Sequence, residues 1–102
     1  MRQFHARYDL LLTPTMPVTA LKVGREMPEG GAFGDDWLNW SPYTYPFNLT
    51  QQPAASVPCG LSSNGLPMGV QIVAPLGADA SVLRAARAIE QAMPMPRPPG
   101  LA

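Results

Sequence analysis

Proline and glycine spacing constrains this chain more than any other feature. Together they supply 22 of 102 residues, a share at which low complexity is suspected. They are nevertheless spread out, and most sit at the ends of apolar segments, as turn and strand-end residues do. Such a chain folds into short elements joined by many turns. About 100 residues bury only some 60–65% of their extended surface, and many here are committed to loops. The expectation is one domain at most, under-provisioned for a core of its own and belonging to something larger.

The firmest element is a hairpin. Ala54–Leu61 and Leu66–Ala74 flank Ser62-Ser63-Asn64-Gly65, and Asn-Gly readily supplies the positive φ angles of a tight turn. On the second arm Met68, Val70, Ile72 and Ala74 alternate with Gly69, Gln71 and Val73. Gln71 thus faces away from Ile72, either wet or bonded to a buried partner. Pro58 lacks an amide donor, which places it at a strand end or a break in pairing.

Met1–Arg7 is compatible with the end of a helix. Tyr8–Thr13, with three consecutive leucines stopped by Pro14 and Pro17, reads as a strand buried on both faces. Asp79–Met93 is predicted as an amphipathic helix with Asp79 as N-cap. Val82, Leu83, Ala86, Ile89 and Met93 gather on one side, with Arg84, Arg87 and Gln91 on the other. Pro94 ends the helix, and residues 94–102 form a proline-rich tail.

Two stretches lack a period. Residues 22–36, with Glu26, Glu29, Asp35 and Asp36 among glycines, read as a mobile acidic loop, either disordered or a functional flap. Trp37–Phe47 holds five aromatics in eleven residues. It is either a loop packed on the core or a ligand-pocket wall.

Charge and composition remove whole classes of function. Seven Lys/Arg balance seven Asp/Glu, so the electrostatic footprint of a nucleic-acid binder is missing. No apolar run is long enough to span a bilayer, and Met1–His5 lacks a signal-peptide core. The expected location is cytoplasmic, with no nucleic-acid or membrane partner. One cysteine, Cys59, excludes an internal disulfide, and one histidine leaves a metal site short of ligands; no cofactor is expected. His5 lies four residues before Asp9, but no serine has a nucleophile-elbow context. Lys22 lacks the desolvated surroundings that activate a lysine. On these residues alone no catalytic set is assigned.

The segment Tyr43-Thr44-Tyr45-Pro46-Phe47-Asn48-Leu49-Thr50-Gln51-Gln52-Pro53-Ala54-Ala55-Ser56-Val57-Pro58-Cys59-Gly60 resembles the amidase signature family. The likeness continues through Gly65–Pro75 and Leu83–Glu90, and upstream through Tyr8–Thr15, which looks like the family's strand ending in a Pro-Thr turn. The blocks stand in family order from about Phe4 to Glu90, at the family's C-terminal end. This resemblance implies an α/β fold: the C-terminal part of an α/β/α sandwich, with one buried strand, the Asn-Gly hairpin and a covering amphipathic helix over residues 1–93. It implies carboxamide hydrolysis through a Ser–cis-Ser–Lys triad in the larger N-terminal part, no member of which maps onto this chain. Inactivity of the chain alone is therefore expected.

Two departures stand out. Gln51 occupies a position where the family usually has glycine. Ser41 stands where the glutamyl-tRNA amidotransferase A subunits carry an acidic residue that holds the amino group of glutamine. The resemblance then favours a general amidase with a more apolar acyl pocket, with Trp40, Ser41 and Tyr43 as pocket-side candidates. Expected partners are the missing N-terminal portion or further copies of the chain, with a small-molecule amide as ligand in the full-length context. A stand-alone, self-associating interaction module is the rival reading, and an amidotransferase A-subunit fragment is a third.

Overall fold

The computed structural model describes residues 1–98 and 100. In chain order the elements are α1 (Arg2–His5), β1 (Leu11–Pro14), a single 3-10 turn (Trp37–Trp40), α2 (Tyr45–Thr50), β2 (Ala54–Leu61), β3 (Pro67–Val73) and α3 (Asp79–Ala92). The three strands form one antiparallel sheet in the order β1-β3-β2.

The hairpin lies where the sequence puts it, with Ala54 opposite Val73 and Val57 opposite Val70. In the turn only Gly65 adopts a positive φ (79°), while Asn64 does not. Ser62 closes the loop instead: its amide donates to the Leu66 carbonyl at 2.8 Å, and its hydroxyl accepts from the Leu66 amide at 3.1 Å. Pro58 sits at a β-bulge, opposite Gly69 and just before Gly60 pairs with Met68. The bulge lets a residue without an amide donor lie within a strand.

One face of the sheet carries the core. Val57, Ile72 and Ala74 meet Val82 of α3, with Ala55, Val70, Ala85, Ala86 and Ile89 packed around them. The apolar stripe of α3 is narrower than the sequence suggests. Leu83 is 68% exposed and Met93, just beyond the helix, 47%. Ala85 and Ala86 hold the helix close to the sheet, and Leu83, about 100° around the axis from Val82, points past the contact. Asp79 is not the N-cap. Ala78 takes that position with no side-chain bond, and Asp79 begins the helix, where its charge still complements the helix dipole.

β1 departs from expectation in place and burial. It starts at Leu11 rather than Tyr8, includes Pro14, and lies at the sheet edge with β3 as its one strand neighbour. It is not buried on both faces: Leu12 is 56% exposed. The reason is geometric, since α3 packs over β2 and β3 and leaves the outer strand uncovered.

The aromatic run is not a plain loop. Asp36 caps the 3-10 turn, its carboxylate accepting from the Leu38 amide at 3.0 Å. Pro46 is tolerated in the first turn of α2, where helix amides are free anyway. Residues 22–36 contain bends and turns but no helix or strand. Lys22 there pairs with Glu29 at 3.0 Å, so the loop holds a cation against its own acid. No described helix is long and apolar enough to cross a membrane. In the 94–102 tail, residues 94–98 form no helix or strand, and Pro99, Leu101 and Ala102 lie outside the described residues.

Candidate functional site

Strand alternation sends Thr13, Ser56, Gly69 and Gln71 to the face opposite α3. Gln71 is the organiser of this polar face. It is 5% exposed, and its side-chain amide donates to the Tyr43 carbonyl at 2.6 Å and to the Thr13 hydroxyl at 3.0 Å. Of the two readings open to Gln71, the structure selects the bonded one. Through these bonds it ties the aromatic segment to the sheet, since a buried carbonyl left unpaired is costly.

The three pocket-side candidates lie together in that segment. Ser41 is 7% exposed, with its hydroxyl turned onto its own backbone: the Leu38 carbonyl lies at 3.4 Å and that of Trp37 at 3.5 Å. Tyr43 is half-buried and contributes its carbonyl to Gln71. Trp40 is half-buried, and its indole Nε1 is fully covered with no acceptor among the described residues.

Two open clefts flank the sheet. One, of about 570 Å³, is walled by Thr13, Thr15, Met16, Val18, Cys59 and Met68 among others. The Thr15 and Ser56 hydroxyls, 2.7 Å apart, form its floor over Gly69. The other, of about 660 Å³, lies beside His5, Thr50, Gln52 and Leu76. Trp40, Ser41 and Tyr43 line neither.

A second polar clasp joins segments far apart in sequence. His5 Nδ1 lies 3.0 Å from the Tyr8 carbonyl, so it carries the proton and leaves Nε2 as acceptor. The Gln52 side-chain amide donates to Nε2 at 2.8 Å and to the Ala74 carbonyl at 3.0 Å, while Gln52 Oε1 accepts from Thr50 at 2.9 Å. α1, the end of α2 and the end of β3 are thereby pinned at one point. Sequence reasoning missed this clasp and the Thr15–Ser56 pair, because partners 47 and 41 residues apart leave no local signal.

What can these groups do chemically? His5 has both ring nitrogens engaged, and Lys22 is held by Glu29. Ser56 bonds Thr15, Ser62 closes the hairpin turn and Ser81 accepts from Arg84. Among the described residues no serine hydroxyl is hydrogen-bonded to a histidine, lysine or carboxylate, the contact that activates a nucleophile. No group of three or more His, Cys, Asp or Glu there is placed to hold a metal ion. These surfaces position and bind; they do not assemble an acyl-transfer centre.

Comparison with known proteins gives this scaffold its context. The amidase family profile matches residues 1–83. The chain is 39% identical over 101 residues to the 6-aminohexanoate-cyclic-dimer hydrolase of Paenarthrobacter ureafaciens, with 91% of this chain and 20% of the relative covered. It is 46% identical over 87 residues to the A chain of the glutamyl-tRNA(Gln) amidotransferase of Brevibacillus brevis, with 84% and 17% covered. A solved structure of 6-aminohexanoate cyclic dimer hydrolase superposes with a TM-score of 0.81 at 38% identity, over 99% of this chain and 23% of that one. A bacterial aryl acylamidase superposes with a TM-score of 0.79 at 34% identity, over 93% and 20%. The chain spans about a fifth of the length of the relatives it matches. A match over most of its residues, carried by one sheet-and-helix arrangement, places the chain in the amidase signature family.

Proposed function

We infer that this chain serves as the C-terminal part of a carboxamide hydrolase, supplying a sheet end, a covering helix and a wall of the substrate pocket, while the Ser–cis-Ser–Lys triad comes from a part outside it. The supporting observation is the pairing of a TM-score of 0.81 to an amide-cleaving enzyme with the lack, among the described residues, of any activated nucleophile. Trp40 and Tyr43 are the wall residues in this reading. The covered indole N–H of Trp40 finds its acceptor when the pocket is complete, because a buried donor without one costs about 1–3 kcal/mol. Ser41 shapes the wall from behind, its hydroxyl being engaged with backbone carbonyls.

A role as part of an amidotransferase is the second reading, favoured by 46% identity to one such enzyme's A chain. Ser41 argues against it: a neutral hydroxyl turned inward offers nothing to a substrate ammonium. The preferred substrates are uncharged aliphatic or aromatic amides. The reading carries a cytoplasmic location and association either with the catalytic portion or between copies of the chain, supported by the neutral charge and the uncovered β1. The test is direct. The purified 102-residue chain is expected to release no ammonia or amine from simple amides, and turnover above a host-amidase-deleted control overturns the reading.

A further inference from the structure

The two free edges of the sheet are not equivalent, and hydrogen-bond parity shows how they differ. The Thr15 amide donates to the Gly69 carbonyl at 3.0 Å and the Ala74 amide to the Pro53 carbonyl at 3.1 Å. In an antiparallel ladder, alternate residues bond to opposite neighbours. With Leu11 opposite Val73 and Thr13 opposite Gln71, residues 11, 13 and 15 therefore bond inward to β3. Leu12 and Pro14 turn their backbone groups to the open side of β1. By the same count Ala54, Ser56 and Pro58 face outward from β2. Each edge thus ends in a proline with no donor to offer, which bounds any further pairing to the stretch before it.

Side-chain cover separates the two edges. At β2 the helix layer is complete: Val57 is 3% exposed, and the Cys59 bulge bends the strand beyond it. At β1 it is unfinished. Leu10 packs against the core cluster, but Leu12, on the same face, is 56% exposed, so the sheet continues past the helix that covers it.

We propose that the β1 edge at Leu10–Leu12 is where this chain docks onto the rest of an amidase fold, by adding one extended strand with apolar side chains on the helix side. This rests on the proposed function. The occupant follows from length: the neighbour that superposes on 99% of this chain keeps about three quarters of its own residues outside the match, and they must meet this segment somewhere. The Leu12 N–H and C=O supply the pairing, the bare Leu12 side chain supplies apolar contact, and Pro14 fixes where the added strand stops.

The experiment compares proline substitutions at the two edges. The 102-residue chain is co-expressed with the Paenarthrobacter ureafaciens hydrolase lacking its matched segment, and the recovered complex is quantified by size exclusion. Leu12→Pro removes an outward amide that the chain itself does not use, and it is expected to lower recovered complex at least tenfold. Ala54→Pro makes the same change on β2 and is expected to stay within twofold of the unaltered chain. If Leu12→Pro fails to fold by circular dichroism, Leu12→Lys keeps the amide, charges the bare face and is expected to show the same tenfold loss. No complex with the unaltered chain, equal loss at both edges, or loss confined to Ala54→Pro overturns the proposal. Amide hydrolysis by the complex is scored separately: assembly through β1 without turnover overturns the proposed function and leaves the edge assignment standing.

Discussion

Gly69 offers a sharp test of the packing described for the polar face. A Cβ built there lies 2.8 Å from Ser56 Oγ and 3.0 Å from Thr15 Oγ1, the two atoms that form the 2.7 Å hydrogen bond across its strand. Its φ lies outside the left-handed region, so alanine meets only a contact problem, without backbone strain. Both hydroxyls have to rotate away. That loses a bond worth about 0.5–1.5 kcal/mol and adds overpacking of roughly 1 kcal/mol. Alanine recovers about 0.5–1 kcal/mol of backbone entropy that glycine forfeits in a strand. Gly69→Ala is therefore expected to destabilise by about 1–2 kcal/mol. In a Ser56→Ala background the closest contact and the bond are already gone, so the entropy gain dominates and the same change becomes neutral or mildly stabilising. Urea unfolding of all four variants at a common m-value gives the coupling directly, expected at about 1–2 kcal/mol. Additivity within about 0.3 kcal/mol refutes the steric argument.

Three further outcomes follow from single residues. Gln51 is the only described non-glycine residue at positive φ (56°), as the C-cap of α2; Gln51→Gly is expected to stabilise by about 0.5–1 kcal/mol, read as a higher urea midpoint. Gln71→Leu strips the Tyr43 carbonyl of its donor and is expected to cost about 2 kcal/mol, with a red-shifted tryptophan emission as the segment holding Trp37 and Trp40 loosens. Gln52→Leu breaks the clasp to His5 and Ala74; hydrogen exchange is expected to accelerate in α1 while the β3 amides keep their protection. Unchanged α1 exchange refutes a structural role for the clasp.

The amidase resemblance was legible because its carriers are local. The Tyr43–Gly60 block and the Gly65–Pro75 block are contiguous strings, and the family profile meets them within residues 1–83. The departure at Gln51 was also legible, and the structure shows its meaning: the left-handed turn that glycine would take freely is kept, with a residue that bears strain there. Trp40, Ser41 and Tyr43 were found by composition and family position. What composition did not reveal was orientation. Ser41 turns inward, and Tyr43 acts through its backbone carbonyl.

The primary structure by itself determined the hairpin, the proline-marked break at Pro58 and the α3 stripe, because alternation, missing donors and helical period are properties of neighbours in sequence. Tertiary structure alone decided that Ala78 rather than Asp79 caps α3, that Leu83 points away from the sheet and that β1 lies at an edge. The same holds for Gln71 and Gln52 joining segments 28 and 47 residues away. Each of these depends on what lies across from a residue in space, and three leucines in a row encode the wish to be buried without encoding what will cover them.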